Sequence, residues 1–325
     1  MRSSFILVNV VSGVILLASC TKEYHDTTTQ DPPGEIIPAV VHKYGSMKDF
    51  FKLNQVQTQQ FTADAAAVAT ITSAQGSLIT IFPNSFVTQQ GDPVTGNVII
   101  EFREIYNKSD MLKSDKPTIQ YDGRPLKSGG EFFIKATAGG TPVQLAPGSY
   151  LTVEQPFNGF PFDPGMTAFS AITDTFRWQN AQNAAVNDSA FQQSYTGYIY
   201  GMFTFNPPLD SGTWSNSDNS SYFSQYPQTI LTLQQNDDPA AYGTEVFLLF
   251  SDISSMVHIY GSGGNDFAYL YAPEGLNCTM VALGVKDSVL YSSFVPVTIG
   301  SNQTVNFPML QTTDEIFQSE LELLN

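Results

Sequence analysis

Gly96-Asn97-Val98-Ile99-Ile100-Glu101-Phe102-Arg103-Glu104 decides the fold class. It is an apolar run of strand length, introduced by the turn residues Gly91-Asp92-Pro93 and by Gly96 itself. The same grammar recurs on both sides. Gly76-Ser77-Leu78-Ile79-Thr80-Ile81-Phe82-Pro83 places apolar residues at nearly period two, and Glu131-Phe132-Phe133-Ile134-Lys135-Ala136 follows Ser128-Gly129-Gly130. Gly139-Gly140-Thr141-Pro142 predicts a hairpin into Val143-Gln144-Leu145, and Ser149-Tyr150-Leu151-Thr152-Val153 follows Pro147-Gly148. Short strands punctuated every 8–12 residues or so by Gly, Pro, Asn and Asp predict a sandwich or barrel rather than βαβ units.

Further along, strands are expected at 228–233, 245–250, 256–260, 267–271, 280–285 and 289–295. A hairpin across Gly300-Ser301-Asn302 would pair 296–299 with 304–307. The chain ends in a short helix, for which Thr312 and Glu315 offer a capping box and Asp314 a favourable first-turn charge. Leu321, Leu323 and Leu324 are its docking candidates. The fold class expected is all-β, with tandem β-sandwich-like domains and a short C-terminal helix.

The first twenty residues carry a different message. Arg2 is a positive start, the run from Phe5 to Ala18 is apolar but too short to span a bilayer, and Leu17-Ala18-Ser19-Cys20 closes it. This pattern predicts a lipoprotein signal peptide at 1–19, cleaved ahead of Cys20, whose thiol would carry diacylglycerol and whose terminus would carry further palmitate-type acylation. Several acyl chains on one terminus make a stable anchor, whereas a single chain binds only marginally. Residues 20–40 hold Pro, Gly, Thr and mixed charge with little to bury, and read as a flexible tether with a reach of about 60 Å when extended. The remainder divides into 41–155, 156–225 (aromatic-rich, a β domain or an extension) and 226–325, a β-sandwich-like domain with the terminal helix.

Composition narrows the function classes. Residues 1–19 contain one Arg and no acid, so the 14 basic side chains become 13 against 30 acidic ones, a net charge of −17. That surface excludes nucleic acid, which needs Lys/Arg clusters. Of two cysteines, Cys278 is left without an intramolecular partner once Cys20 is acylated, and its apolar setting predicts a buried small hydrophobe.

Chemistry-bearing motifs are sparse. His25, His42 and His258 lie far apart, and no His-x-x-x-His or Cys-x-x-Cys spacing occurs, so no metal and no other cofactor is expected. No Gly-x-Ser-x-Gly elbow is present. Glu101 and Arg103 share a strand face and Glu104 points away, which predicts a solvated or salt-bridged surface. Asp237-Asp238, Asp252 and Asp266 sit at turns without a twelve-residue calcium-loop pattern. Trp178, Tyr198 and Trp214 are candidates for stacking on sugar rings. Asp26-Thr27-Thr28 and Asp188-Ser189-Ala190 make Thr27 and Ser189 candidate O-glycosylation acceptors.

The run Gly76-Ser77-Leu78-Ile79-Thr80-Ile81-Phe82-Pro83-Asn84-Ser85-Phe86-Val87 resembles the opening of ZU5-type β-sandwich modules. Gly91-Asp92-Pro93-Val94-Thr95-Gly96-Asn97-Val98, Glu104, Lys108-Ser109-Asp110-Met111-Leu112 and Leu126-Lys127-Ser128-Gly129-Gly130-Glu131-Phe132 continue the pattern over about residues 60–155. The order of these segments also resembles exported Bacteroidota lipoproteins in which such a module follows a lipid tether. The resemblance implies an interaction or scaffolding unit, not an enzyme. Self-cleavage, known in some ZU5 proteins at Phe-Ser with an adjacent His, is not expected at Phe169-Ser170, where Ala168 precedes the bond. The expectation is a non-catalytic, lipid-anchored protein of the cell outer membrane, on its periplasmic or extracellular face, with a protein or glycan ligand. The competing expectations are a polysaccharide-acting enzyme with a carboxylate pair beside Trp178 or Trp214, or an accessory subunit of a surface fibre or nutrient-uptake complex.

Overall fold

The computed structural model describes residues 43–156, 163–172, 176–182, 184–187, 200–205, 209 and 212–325. The chain divides into Met1–Ala39 and one compact unit, Val40–Asn325, to which all described residues belong. Strands make up 50% of the chain and helices 12%, which places it in the all-β class.

The first sandwich has two sheets. One runs in the order Gln59–Asp64, Asn97–Ile105, Lys127–Ala138, Thr213–Asn219, Thr167–Ile172, Arg177–Asn180; the other in the order Ala184–Asn187, Tyr200–Phe205, Leu151–Pro156, Leu78–Ile81, Ala69–Thr72. Strand alternation builds the core between them. Val98, Ile100 and Phe102 are fully buried, and across the register Ile134 and Phe132 meet them. The Phe102 and Phe132 rings stack 5.8 Å apart. The Gly139-Gly140 hairpin forms with φ of +56° and +79°, the double positive φ that a two-residue primed turn requires. Strands from 163–219 complete both sheets of this sandwich and make none of their own. The described strands between 163 and 219 thus extend the first sandwich, while Phe223 packs in the core of the second.

The second sandwich packs Gly261–Gly263, Asp266–Pro273, Gln228–Gln235 and Gln303–Phe307 against Met256–Ile259, Glu245–Phe250, Asn277–Lys286, Val289–Thr298 and Leu310–Gln311. The expected hairpin across 300–302 does not form. Val289–Thr298 remains paired with Asn277–Lys286 as far as Thr298, and Gln303–Phe307 instead lies parallel to Gln228–Gln235 in the opposite sheet. Ile299, 1% exposed, marks the crossing, and the Asn302 amide donates to Thr229 Oγ1 at 2.7 Å.

Strand Glu245–Phe250 is buried on both faces: Val246, Leu248 and Phe250 face the sandwich core, while Phe247 and Leu249 face three helices. Helices α1 (Met47–Asn54), α2 (Lys108–Lys113) and α3 (Asp314–Glu322) place Phe50, Met111, Phe317 and Leu321 on that outer face. Ser46 caps α1 and Asn107 caps α2, each side chain accepting from the amide three residues on. The cap of α3 is Thr313, accepting from the Ile316 amide, one residue beyond the expected Thr312. Leu323 is 82% exposed and plays no part in docking. Among the described residues no helix is long and apolar enough to cross a membrane.

The sandwiches are tied by bonds to main-chain carbonyls of the second. The Thr118 amide donates to Met256 O at 2.8 Å, the Ser128 amide to Ser254 O at 2.7 Å, and Lys108 Nζ to Phe250 O at 2.7 Å. This seam positions the candidate site.

Candidate functional site

Helix α2 ends in a full Schellman motif: Asp115 N–H donates to Leu112 O, and Lys116 N–H to Met111 O. The left-handed position of that motif usually carries glycine, yet here it holds Asp115 at φ +49°. The turn delivers the Asp115 carboxylate to the second sandwich. There His258, on strand Met256–Ile259, alternates with Val257 and Ile259, which face the core.

The His258 ring is 3% exposed and lies between the rings of Phe247 and Tyr260, each centroid 4.4 Å away. Nδ1 is 2.9 Å from Asp115 Oδ1, and Nε2 is 2.8 Å from Glu245 Oε2. Burial works against a charged imidazole. The hydrogen bonds and charges of Asp115 and Glu245 outweigh it and lift the His258 pKa to about 9. Burial likewise works against the Asp115 carboxylate, and the bond to His258 turns the balance, holding it below the usual carboxylate range. Both imidazole nitrogens therefore donate, and the ring has no lone pair left for proton abstraction.

Asp115 and Glu245 also border an open hollow of about 400 Å³, lined by Lys48, Phe51, Lys52, Gln55, Ser114 and Lys116. Lys48 and Lys52 are exposed and make no ion pair among the described residues. Lys116 Nζ stands 4.0 Å from the Phe176 ring centroid and 5.5 Å from that of Trp214. Burial lowers its pKa, against the pull of Asp115 and Glu131. Three lysines meet here on a chain with more than twice as many acids as bases.

Among the described residues, three further carboxylates lie inside the protein. Glu104 is fully buried, in contrast to the solvated face expected for its strand. Its oxygens accept from Ser73 Oγ at 2.6 Å, Ser77 Oγ at 2.7 Å, the Gln75 amide at 2.8 Å and Gln59 Nε2 at 3.0 Å. Glu131 and Asp218, on adjacent strands, are also fully buried. Asp218 Oδ2 accepts from Asn216 Nδ2 at 2.8 Å, while both Glu131 oxygens lack a partner among the described residues. Burial raises both acids well above the usual range, and Asp218 adds to the effect on Glu131.

The structure brings together few of the residues expected from sequence. Trp178 is fully buried; its Nε1–H donates to Pro117 O at 2.8 Å and its ring meets Phe176 edge-on. No face of it is open to a sugar, which corrects the stacking expectation. Trp214 is partly buried against Phe133 and Phe176. Tyr198, Cys20, Thr27 and Ser189 lie outside the described residues. Cys278 is 2% exposed, and burial pushes its thiol up to about 12, so it is not a nucleophile. Among the described residues no group of three or more His, Cys, Asp and Glu is placed to hold a metal.

The His258 cluster was not foreseen from sequence, because Asp115 is 143 positions away and the hairpin holding Glu245 and His258 reads as ordinary core. No protein-family model matches the chain, and no curated protein matches it.

Proposed function

We propose that this chain is a lipid-anchored lipoprotein of the bacterial outer membrane, fastened through Cys20, whose double sandwich binds a glycan or protein partner without catalysis. The observation that carries the binding half is the division of labour among its charged groups. The groups suited to acid–base chemistry are committed to the fold: His258 by two carboxylates, Glu104 by four donors, Glu131 and Asp218 by complete burial. What faces solvent at the seam is a shallow lysine-rich hollow, suited to docking rather than turnover. The resemblance of residues 60–155 to ZU5-type interaction modules points the same way. Glu131 and Asp218, beside Trp214 in the sheet, are the acid pair nearest to the enzyme expectation, and no substrate reaches them as they stand.

Two experiments test the two halves. Cys20→Ala should leave the protein in the aqueous phase of a detergent partition, and intact mass should show acyl chains on the native protein alone. Partners recovered from native membranes with the full chain should be lost with a Lys48→Glu/Lys52→Glu variant. Depolymerisation of a polysaccharide by the purified chain, abolished by Glu131→Gln in a folded protein, would replace the binding reading with the enzymatic one.

A further inference from the structure

A second hollow, about 190 Å³, also touches His258. It forms where the chain changes sheets: Met256–Ile259 belongs to one sheet of the second sandwich, Gly261–Gly263 to the other, and Tyr260 lies between. Its walls include Tyr260, Tyr269, Leu270 and Tyr271, together with Arg177 from the first sandwich. Tyr260 and Leu270 are 50% and 58% exposed.

Two of these side chains hold buried donors that find no partner among the described residues, Arg177 Nη1 and Tyr269 Oη. Tyr269 is 5% exposed, so solvent does not compensate its hydroxyl. An unmade hydrogen bond in the interior is destabilising, and two beside one cavity call for an acceptor. The Tyr260 ring covers the guanidinium, its centroid 5.4 Å from Arg177 Cζ. Tyr260 is half exposed, and side chains of that kind exchange rotamers fast, so access to the two donors would be through rotation of this ring away from Arg177.

We propose that this hollow binds the carboxylated ring of a uronic-acid residue in an acidic glycan. The carboxylate is held by Arg177 Nη1 and Tyr269 Oη, and the sugar ring lies against Tyr260, Leu270 and Tyr271. One guanidinium edge and one phenol offer a single positive charge with few donors, which matches a planar monoanion better than a phosphate dianion. The volume falls below that of a site for a drug-sized ligand and fits one ring. Tyrosine faces supply the flat amphipathic surface that a pyranose needs. The acids nearby are already engaged: Asp115 with His258, and Asp122 with Arg124 at 3.3 Å. Arg124 itself stands 5.7 Å from the Tyr271 ring at the same cavity. This inference rests on the glycan branch of the proposed function and names its ligand class.

The test titrates the full chain in detergent micelles with methyl β-glucuronide, its neutral twin methyl β-glucoside, and N-acetyl-leucine as a peptide-like carboxylate. Calorimetry should show glucuronide binding at least tenfold tighter than glucoside. Tyr269→Phe and Arg177→Gln should each weaken it at least tenfold. Tyr269→Phe deletes only an unpaired hydroxyl and should leave the thermal midpoint unchanged, so it decides the matter even if Arg177→Gln fails to fold. Equal binding of glucuronide and glucoside, no glucuronide binding, or binding indifferent to Tyr269→Phe would overturn the assignment. Tighter binding of N-acetyl-leucine would overturn it in favour of a peptide carboxylate. Membrane partners still recovered through the lysine hollow would then leave the broader binding function standing, whereas loss of both would remove that as well.

Discussion

Asp115 and His258 are 143 residues apart in sequence and 2.9 Å apart in the fold. The bond joins the end of a helix in the first sandwich segment to a buried strand of the second. It also explains why a left-handed Schellman position holds an aspartate: glycine would make the turn more easily but would leave the imidazolium one carboxylate short.

The pH dependence of stability follows from this bond. The folded pKa of His258 is about 9 against an ordinary 6.5. A raised folded value means that the stabilisation is fully present below pH 6.5 and disappears as pH climbs through 9. A shift of that size corresponds to about 3 kcal/mol. The thermal midpoint of the wild type should fall between pH 6.5 and 9.5, and that of His258→Gln should fall less. Parallel curves for the two proteins would refute the protonated state of the ring.

The same turn predicts an order of substitutions at Asp115. Both Asp115→Gly and Asp115→Ala remove the ion pair, which, for a side chain about one-third exposed, costs about 1–2 kcal/mol. Alanine must also keep a positive φ, at about 1 kcal/mol more. Denaturant titration should therefore rank Gly above Ala. The reverse order would show that the backbone leaves the left-handed region without penalty.

Docking of α3 should rest on Phe317 and Leu321 and not on Leu323. Phe317 is fully buried, meeting Phe50 at 5.7 Å and Phe294 at 5.6 Å, while Leu323 is 82% exposed. Phe317→Ala should cost about 3–5 kcal/mol and Leu323→Ala less than about 0.5. Comparable losses for the two in urea unfolding would contradict this packing.

What the sequence revealed follows from the range of each interaction. Strand Glu245–Phe250 could be read at both ends, because a continuous apolar run between turn residues is a local signal. Helices α1 and α2 were missed: they span eight and six residues, and only Ser46 with Asp49, and Asn107 with Asp110, announced them. The parallel partner of Gln228–Gln235 was hidden because Gly300-Ser301-Asn302 has hairpin chemistry but connects two sheets. Trp178 stood as a stacking candidate because composition does not disclose that its Nε1–H meets Pro117 O inside the seam. The His258 cluster needed tertiary contact to exist at all.

Glu131 supplies the most direct check on the buried acids. Burial first, and Asp218 second, raise its pKa well above the ordinary value. A raised folded value for an acid favours the neutral form, so this group's contribution is present below the unfolded pKa near 4 and lost as pH rises through the folded one. At pH 8 the wild type holds either an ionised carboxylate in the interior or a proton retained against the bulk pH. Glu131→Gln keeps the shape and removes the ionisation. It should stabilise the protein at pH 8 by about 1–3 kcal/mol and have a smaller effect at pH 4. Chemical unfolding of both proteins at the two pH values measures this. A variant that loses stability at pH 8 would mean that the carboxylate is ionised and held by a positive partner, for which Lys116, whose charge acts on it, is the candidate.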